Sequence, residues 1–289
     1  MSGAGAIDLG PDDLVMSWFG HDPTPLDQRV PAAAAAGFTG IGLHLGEWLR
    51  LGASNGAADE CRDLLAEHDI VIAELEALRG FGYEGRTDDL AARLETAAYE
   101  AADALGARYL QVIGPYDGTP ADAAAQFGAL CDRAADHGLL VGIEFLPFTN
   151  IATAGDAAEI VERCGRDNAG GCVDIWHHER GASDMQLIRD LPADRIYSVQ
   201  LSDGPLVPVD GDHYDDDCLT NRLAPGEGEF DIAGFIRELD ANGSTAPLSM
   251  EICSTRLWER PIEEAAVTIA SAIRDILADA RPAAGIERH

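Results

Sequence analysis

Short apolar runs alternate with alanine-rich helical segments along most of the chain. The runs predict eight strands, at residues 14–19, 37–44, 70–78, 109–113, 139–145, within 170–179, 196–201 and 247–252. Segments with helical character lie between most of them, at residues 27–36, 56–68, 88–105, 120–137, 154–164, 183–190 and 261–280. This alternation predicts an α/β fold, a single (β/α)8 TIM barrel over residues 11–281, with short tails at 1–10 and 282–289.

The main alternative to a closed barrel is a doubly wound open sheet. Such a sheet often carries a Gly-x-Gly-x-x-Gly turn after its first strand, and the sequence lacks one there. The sequence also contains no linker, no break in composition and no internal repeat at a solenoid period. These features favour the single barrel.

The sixth predicted strand ends in a group of polar residues. Two glycines lead into an apolar run, and Asp174, His177 and His178 lie at its end. A charge at the end of a buried strand is costly unless it has a partner, and the carboxyl ends of parallel strands are where ligands and metals bind. Two interpretations stay open from this stretch alone. Either Asp174 ligates a metal and His177 faces a substrate, or Asp174 caps the next helix and the histidine lies on the surface.

Polar residues interrupt four successive predicted strands. They are Glu144, Asp174, Gln200 and Glu251. Three carboxylates that converge at a barrel mouth repel one another unless a cation lies between them. Oxygen ligands suit Mg²⁺, Mn²⁺ or a similar divalent ion rather than a structural zinc. One buried glutamate could be satisfied within the core, but four polar residues in register favour a metal site.

Charge and composition narrow the function classes. The chain has 20 basic and 51 acidic residues, a net charge of −31, and it contains no lysine. Such a surface repels nucleic acid and anionic membranes, and the lack of lysine excludes Schiff-base catalysis and Walker-type phosphate binding. The cysteines show no Cys-x-x-Cys spacing, no apolar run is long enough to span a membrane, and the N-terminus lacks a basic signal segment. We therefore expect a cytoplasmic enzyme with a small-molecule substrate, as a monomer or homo-oligomer.

Five short motifs, in order and with fitting spacing, resemble one family. They are Gly142-Ile-Glu-Phe145, Asp174-x-x-His177, Val199-Gln-Leu-x-Asp203, Arg222-x-x-Pro-Gly-Glu-Gly-Glu229 and Leu248-Ser-x-Glu251. The chain resembles the xylose isomerase-like TIM barrels, which include sugar isomerases and epimerases, inosose-processing enzymes and metal-dependent 3-dehydroshikimate dehydratases. The resemblance covers nearly the whole chain, from residue 37 to the last predicted helix.

The resemblance implies a metal site and names its ligands. These would be Glu144, Asp174, Gln200 and Glu251, holding Mn²⁺, Mg²⁺ or Co²⁺, with Zn²⁺ as a further candidate. Many relatives have histidine at the position of Gln200, and the dehydroshikimate dehydratases resemble this chain in having glutamine there.

The resemblance also implies residues that meet the substrate. His177 would contact a substrate oxygen or carry a proton, a role that suits an imidazole near neutral pH. Arg79, Arg222 and His44 would bind the substrate. The alternative for each arginine is a salt bridge to one of the many surface acids.

The expected function is a divalent-metal-dependent isomerase or epimerase of carbohydrate metabolism, which acts on a sugar, cyclitol or related hydroxy ketone through an enediolate. Glu144 or Glu251 would remove the α-proton, and His177 or the other glutamate would return it. A dehydratase, a carbon–oxygen lyase, is the close alternative, because the same site serves if a β-hydroxyl leaves instead. A metal-dependent endonuclease would need a histidine-rich site and a basic surface, and a non-catalytic barrel would have a defective metal set.

Overall fold

Eight parallel strands, paired in sequence order, close into a barrel. The computed structural model describes residues 9–17, 24–52, 56–81, 89–209 and 214–282, so most of both predicted tails and part of the first predicted strand lie outside the described residues. The strands are β1 (Leu14–Met16), β2 (Gly40–His44), β3 (Val71–Arg79), β4 (Tyr109–Ile113), β5 (Leu140–Glu144), β6 (Ala169–Asp174), β7 (Ile196–Leu201) and β8 (Leu248–Met250). The prediction of a single TIM barrel is confirmed.

Helices surround the barrel and cover its apolar outer face. They are α1 (Leu26–Ala36), α2 (Leu45–Leu51), α3 (Ala57–His68), α4 (Asp89–Leu105), α5 (Pro120–Ala135), α6 (Ala154–Cys164), α7 (Ile175–Arg180), α8 (Met185–Arg189), α9 (Tyr214–Thr220), α10 (Ile232–Asn242), α11 (Thr255–Trp258) and α12 (Ile262–Ala280). Alanines such as Ala33, Ala266 and Ala270 are fully buried in this layer, and such small side chains let the helices approach the strands closely. None of the described helices is long and apolar enough to cross a membrane.

Local hydrogen bonds explain where several helices begin. Helices α5 and α6 each start with a capping box, Thr119 with Asp122 and Thr153 with Asp156. At the end of β6, the carboxylate of Asp174 accepts the backbone N–H groups of the next helix, so α7 begins at Ile175. The sixth strand was predicted in the stretch 170–179, and the cap ends it at Asp174, so residues 175–179 are helical instead.

The inside of the barrel is polar as well as apolar. Glu74 on β3 is buried and accepts hydrogen bonds from the hydroxyls of Ser249, at 2.5 Å, and Ser198, at 3.1 Å. Burial raises the pKa of this carboxyl, and the bonds from the serine hydroxyls oppose the rise only in part. Ser198 lies two residues before Gln200 on the same strand. A hydrogen-bonded layer therefore lies directly below the predicted metal ligands.

Candidate active site at the barrel mouth

The barrel brings the ends of β5 to β8 to one mouth. Glu144 ends β5 and Asp174 ends β6, while Gln200 pairs with Asp174 on the neighbouring strand. Glu251 follows β8 directly. All four side chains are buried. Because the strands are parallel, their carboxyl ends open at the same face, which is where TIM barrels bind ligands.

Three of the buried side chains form a compact group. Glu144, Asp174 and His177 each offer one ligand atom, and these atoms lie within 4.8 Å of one another. His177 Nε2 lies 3.2 Å from Glu144 Oε1 and 3.6 Å from Asp174 Oδ2. His177 stands in the first turn of α7 and is 1% exposed. The interpretation that this histidine lies on the surface is therefore wrong.

Asp174 uses its two carboxylate oxygens differently. Oδ1 accepts hydrogen bonds from the backbone N–H groups of Trp176, at 2.6 Å, and His177, at 3.4 Å. Oδ2 accepts a hydrogen bond from Nη1 of Arg222 at 2.7 Å. The helix cap expected in one interpretation exists, and the same side chain also faces the site as the other interpretation requires.

Arg222 lies inside this cluster. Its Nη1 is 2.7 Å from Asp174 Oδ2 and 3.0 Å from Glu251 Oε2, and its Nη2 is 3.3 Å from His177 Nε2. Its Nε donates to the carbonyl oxygen of Cys218. The guanidinium is only 2% exposed. The acids that it pairs with are thus the buried ones at the mouth and not surface acids.

Asp203 holds the loop that carries Arg222. Its carboxylate accepts the backbone N–H groups of Gly226 at 2.9 Å, Gly228 at 3.0 Å and Phe230 at 3.0 Å. The segment before this turn also pairs with the residues that follow β8, because the backbone N–H of Arg222 donates to the carbonyl oxygen of Cys253. Two of the sequence motifs therefore form one structural unit.

The charges at the mouth shift the pKa values of neighbouring carboxyls in opposite directions. Burial opposes ionisation of Asp174, but the charges of Arg222 and His177 outweigh burial, and its pKa is lowered. Burial raises the pKa of Glu251 well above its usual range; Arg222 opposes this rise, and Glu144 and Asp174 add to it. The mouth thus pairs a readily ionised carboxylate with one that holds a proton more tightly.

Gln200 belongs to a chain of hydrogen bonds that the sequence analysis missed. Gln111 Nε2 donates to Glu144 Oε2 at 2.7 Å, and Gln200 Nε2 donates to Gln111 Oε1 at 3.2 Å. The thiol of Cys172 donates to Gln200 Oε1 at 3.2 Å. The signal for Gln111 was present, since it is a polar residue inside the apolar run of β4.

The residues at the mouth fit a divalent cation. Glu144 Oε1 and Glu251 Oε2 are buried and accept no hydrogen bond from any described residue, although ionic neighbours lie close to both. A buried carboxylate oxygen without such a partner carries a cost that a metal ion removes. Carboxylate, amide and imidazole groups together suit Mn²⁺, Mg²⁺, Co²⁺ or Zn²⁺.

The other two predicted substrate-binding residues lie at the ends of β2 and β3. Arg79 is the last residue of β3 and is exposed, and its side chain forms no hydrogen bond or ion pair with the described residues. His44 ends β2, and its Nδ1 accepts the N–H of Gly46 at 3.1 Å, which caps α2. The structure gives both residues a place at the carboxyl end of the barrel, and their contact with a substrate stays a prediction.

Residues 30–276 match the model of one family, the xylose isomerase-like TIM barrel. The chain belongs to this family. The match covers every strand from β2 to β8, together with the cluster at the mouth.

Curated relatives include enzymes with two different activities. A 3-dehydroshikimate dehydratase of Pseudomonas aeruginosa is 31% identical over 254 residues, which are 84% of this chain and 38% of that protein. A protein of the same name from Pseudomonas putida is 28% identical over 87% of this chain and 39% of its own length. An inosose isomerase of Halalkalibacterium halodurans is 29% identical over 141 residues, 48% of each chain. The chain thus spans less than two fifths of the dehydratases it matches.

Solved structures share the fold. A fusion protein of a xylose isomerase-like TIM barrel and a 4-hydroxyphenylpyruvate dioxygenase has a TM-score of 0.81 and 24% identity, over 94% of this chain and 44% of its own. The IOLI protein, solved with a bound zinc atom, has a TM-score of 0.82 and 20% identity, over 93% of this chain and 99% of its own. At these identities the likeness is one of fold.

Proposed function

We propose that the protein is a divalent-metal-dependent dehydratase of a cyclic hydroxy ketone, with 3-dehydroshikimate as the first candidate substrate. The observation that carries the proposal is the buried cluster of Glu144, Asp174 and His177 at the barrel mouth, with a carboxylate oxygen that accepts no hydrogen bond from the residues that the structure describes. The dehydratase of Pseudomonas aeruginosa matches over 84% of this chain and the inosose isomerase over 48%, and this wider similarity supports dehydration as the first candidate.

The proposed metal ligands are Glu144, Asp174, Gln200 and Glu251. When bound, a divalent cation acts as a Lewis acid that polarises a carbonyl group and stabilises negative charge on its oxygen. Asp174 is held ready by the cap of α7, which fixes its rotamer through two backbone N–H groups. Ligands on rigid strand ends keep their geometry better than ligands on loops.

The proton transfers are assigned to the chain's own side chains. A glutamate, Glu144 or Glu251, takes the proton from the carbon next to the carbonyl group, and that C–H bond breaks. His177 gives a proton to the β-hydroxyl, whose C–O bond breaks with both electrons so that water leaves. The electron pair of the broken C–H bond forms the new C=C bond as the hydroxyl leaves. If Glu144 is the base, its proton returns to His177, whose Nε2 lies 3.2 Å from Glu144 Oε1. If Glu251 is the base, it releases its proton to solvent and His177 takes a proton from solvent, so no net proton is consumed in either case.

Arg79 is the proposed anchor for a substrate carboxylate. It is exposed at the carboxyl end of β3 and makes no ion pair with the described residues, whereas Arg222 is already bonded to Asp174 and Cys218. A planar guanidinium binds a carboxylate through two parallel hydrogen bonds. His44, at the neighbouring strand end, is proposed to contact a substrate hydroxyl.

Isomerisation or epimerisation is the second candidate. The similarity to an inosose isomerase supports it, and it uses the same groups up to the removal of the α-proton. The outcomes differ in whether the proton returns to carbon or the β-hydroxyl leaves. Both candidates are reactions of a small hydroxy ketone.

The test compares the two reactions in one set of samples. The protein is loaded with Mn²⁺ and given 3-dehydroshikimate, ketoses or inososes in D₂O. Loss of water with a new conjugated chromophore supports the dehydratase, whereas deuterium in recovered substrate without loss of water supports the isomerase. Glu251→Gln should abolish either reaction. Elemental analysis that finds no bound metal in the wild type would refute both.

A pair of arginine variants tests the substrate contact. Arg79→Met should raise KM about 10-fold or more and leave kcat nearly unchanged, because a lost binding contact weakens ground state and transition state alike. Arg108→Met is the matched control, because Arg108 directly precedes β4 and so lies at the opposite end of the barrel. An unchanged KM in Arg79→Met removes this residue from the site.

A further inference from the structure

We propose that Gln111 is a positioning residue that orients two metal ligands at once, Glu144 and Gln200. It holds one oxygen of the Glu144 carboxylate and fixes which end of the Gln200 amide faces the cation. The inference rests on the proposed metal-dependent function. Gln111 lies within β4, where it is 1% exposed.

The first step concerns Glu144. An ionised carboxylate only accepts hydrogen bonds, so the group of Gln111 that faces it must be the NH₂. That bond, 2.7 Å from Gln111 Nε2 to Glu144 Oε2, ties down one carboxylate oxygen. The other oxygen, Oε1, accepts no hydrogen bond from the described residues. Gln111 therefore leaves a single oxygen of Glu144 open to the cluster.

The second step concerns the orientation of the Gln200 amide. With its NH₂ committed to Glu144, Gln111 can offer only its carbonyl oxygen to the next side chain. Gln200 must then donate through Nε2, over 3.2 Å, and its own carbonyl oxygen points the other way. A metal ion binds an amide through oxygen and not through the NH₂ group. The charge of Glu144 thus selects the amide orientation that can ligate.

The thiol of Cys172 cannot set the orientation of the Gln200 amide in place of Gln111. Cys172 donates to Gln200 Oε1 at 3.2 Å, but a thiol is a weak donor and also a weak acceptor. It can therefore pair with either the carbonyl oxygen or the NH₂ group of Gln200. Among the bonds from residues that the structure describes, only the one to Gln111 distinguishes the two ends of the Gln200 amide, because Gln111 is itself fixed by a carboxylate.

Metal affinity, measured by calorimetric titration of the apoprotein with Mn²⁺, tests the proposal without any substrate. Gln111→Met keeps the length of the side chain and removes both hydrogen bonds. Loss of a group that orients a ligand costs about 10- to 100-fold in metal affinity, and we expect a decrease in that range. Asn168→Leu is the matched control, because Asn168 is also a buried amide with two hydrogen bonds, to the carbonyl oxygens of Cys131 and Leu139. It should lower thermal stability and leave the Mn²⁺ affinity unchanged.

A double-mutant cycle separates the effect on Gln200 from the effect on Glu144. In Gln200→Glu, either end of the side chain offers oxygen, so the orientation set by Gln111 no longer matters. Gln111→Met should therefore cost less Mn²⁺ affinity in this background than in the wild type. Equal costs in both backgrounds would refute the orientation of Gln200 and leave the effect on Glu144 alone.

The spectrum of bound Co²⁺ reports the ligand geometry directly. Gln111→Met should change the visible absorption bands, and Asn168→Leu should not. If Gln111→Met does not fold, Gln111→Asn serves instead, because its shorter amide cannot reach both partners. Wild type that binds no metal would refute the proposed function itself. Wild type and Gln111 variants with equal affinity and equal Co²⁺ spectra would refute this inference alone.

Discussion

Arg222 and Asp174 form a buried ion pair at the centre of the barrel mouth, with Nη1 2.7 Å from Oδ2. Both side chains are at most 2% exposed. The same guanidinium nitrogen lies 3.0 Å from Glu251 Oε2. One fixed positive charge therefore faces two of the three carboxylates, and the third, Glu144, contacts His177 Nε2 at 3.2 Å.

Removal of Arg222 should destabilise the apoprotein and increase its response to metal. Arg222→Met leaves Asp174 and Glu251 buried without a counter-ion, which typically costs about 3–5 kcal/mol. A divalent cation restores positive charge, so saturating Mn²⁺ should recover part of this loss. Urea unfolding with and without Mn²⁺ measures both effects. A variant as stable as the wild type in chelator would contradict the prediction.

Metal removal should lower the melting temperature of the wild type. A ligand that binds only the folded state at 100 times its Kd adds about 2.7 kcal/mol to the free energy of unfolding, a shift of several degrees for a chain of this size. Scans in Mn²⁺ and in EDTA measure the shift. Glu144→Gln is the control, since it removes a proposed ligand and should reduce the difference between the two conditions.

Two adjacent glycines on β6 should differ sharply in their tolerance of a methyl group. A Cβ at Gly170 would collide with the carbonyl oxygen of Arg195 and the ring of Tyr197. A Cβ at Gly171 would meet just one atom of the described residues within 4 Å, the carbonyl oxygen of Ile143 at 3.4 Å. Overpacking costs about 1–3 kcal/mol or more, so Gly170→Ala should lose stability in that range. Gly171→Ala should stay within about 1 kcal/mol of the wild type, because the new contact is an ordinary one. Chemical denaturation of the two variants and the wild type measures the two changes in the free energy of unfolding.

Stability should fall on the acid side partly because of His178. This ring is 3% exposed and packs against Phe235, with centroids 5.7 Å apart. Burial lowers its pKa below the usual value of 6.5 for histidine, and the charges of Glu179 and Asp184 oppose the shift only in part. As the pH drops below about 6.5, the unfolded chain binds a proton that the folded chain resists, so folding free energy is lost. Above that pH both states are neutral at this position and the effect disappears.

His178→Leu should flatten this part of the stability curve. The difference in slope between wild type and variant is at most about 1.4 kcal/mol per pH unit, the value for one proton. Urea midpoints between pH 5 and pH 8 measure it. Parallel curves for the two proteins would contradict the assignment.

The sequence predicted the barrel and the four polar strand positions because both follow local periodicity. Glu144 and Gln200 stand out from their apolar neighbours, and each lies at the mouth as expected. The sequence predicted Arg222 at the site as a substrate-binding residue but did not predict its ion pairs, because its partners Asp174 and Glu251 come within reach only after the loop folds back. Gln111 carried the same signal as the four proposed ligands, but no motif drew attention to it.

Helix α7 was not predicted. It begins directly at the end of β6 because one carboxylate caps it, and no loop composition marks the boundary. The sequence prediction took the stretch 170–179 as the sixth strand and treated cap and site as alternatives. In the folded chain the two oxygens of Asp174 serve both purposes at once.

The way in which Asp203 fastens its loop has a consequence for sequence variation. The carboxylate accepts hydrogen bonds from the backbone N–H groups of Gly226, Gly228 and Phe230. Most side chains in the segment therefore play no part in this attachment. Glu227 is exposed and can be exchanged, whereas a Cβ at Gly228 would strike Asp203. Exposed residues of this loop can therefore change to suit a different substrate while Arg222 keeps its position.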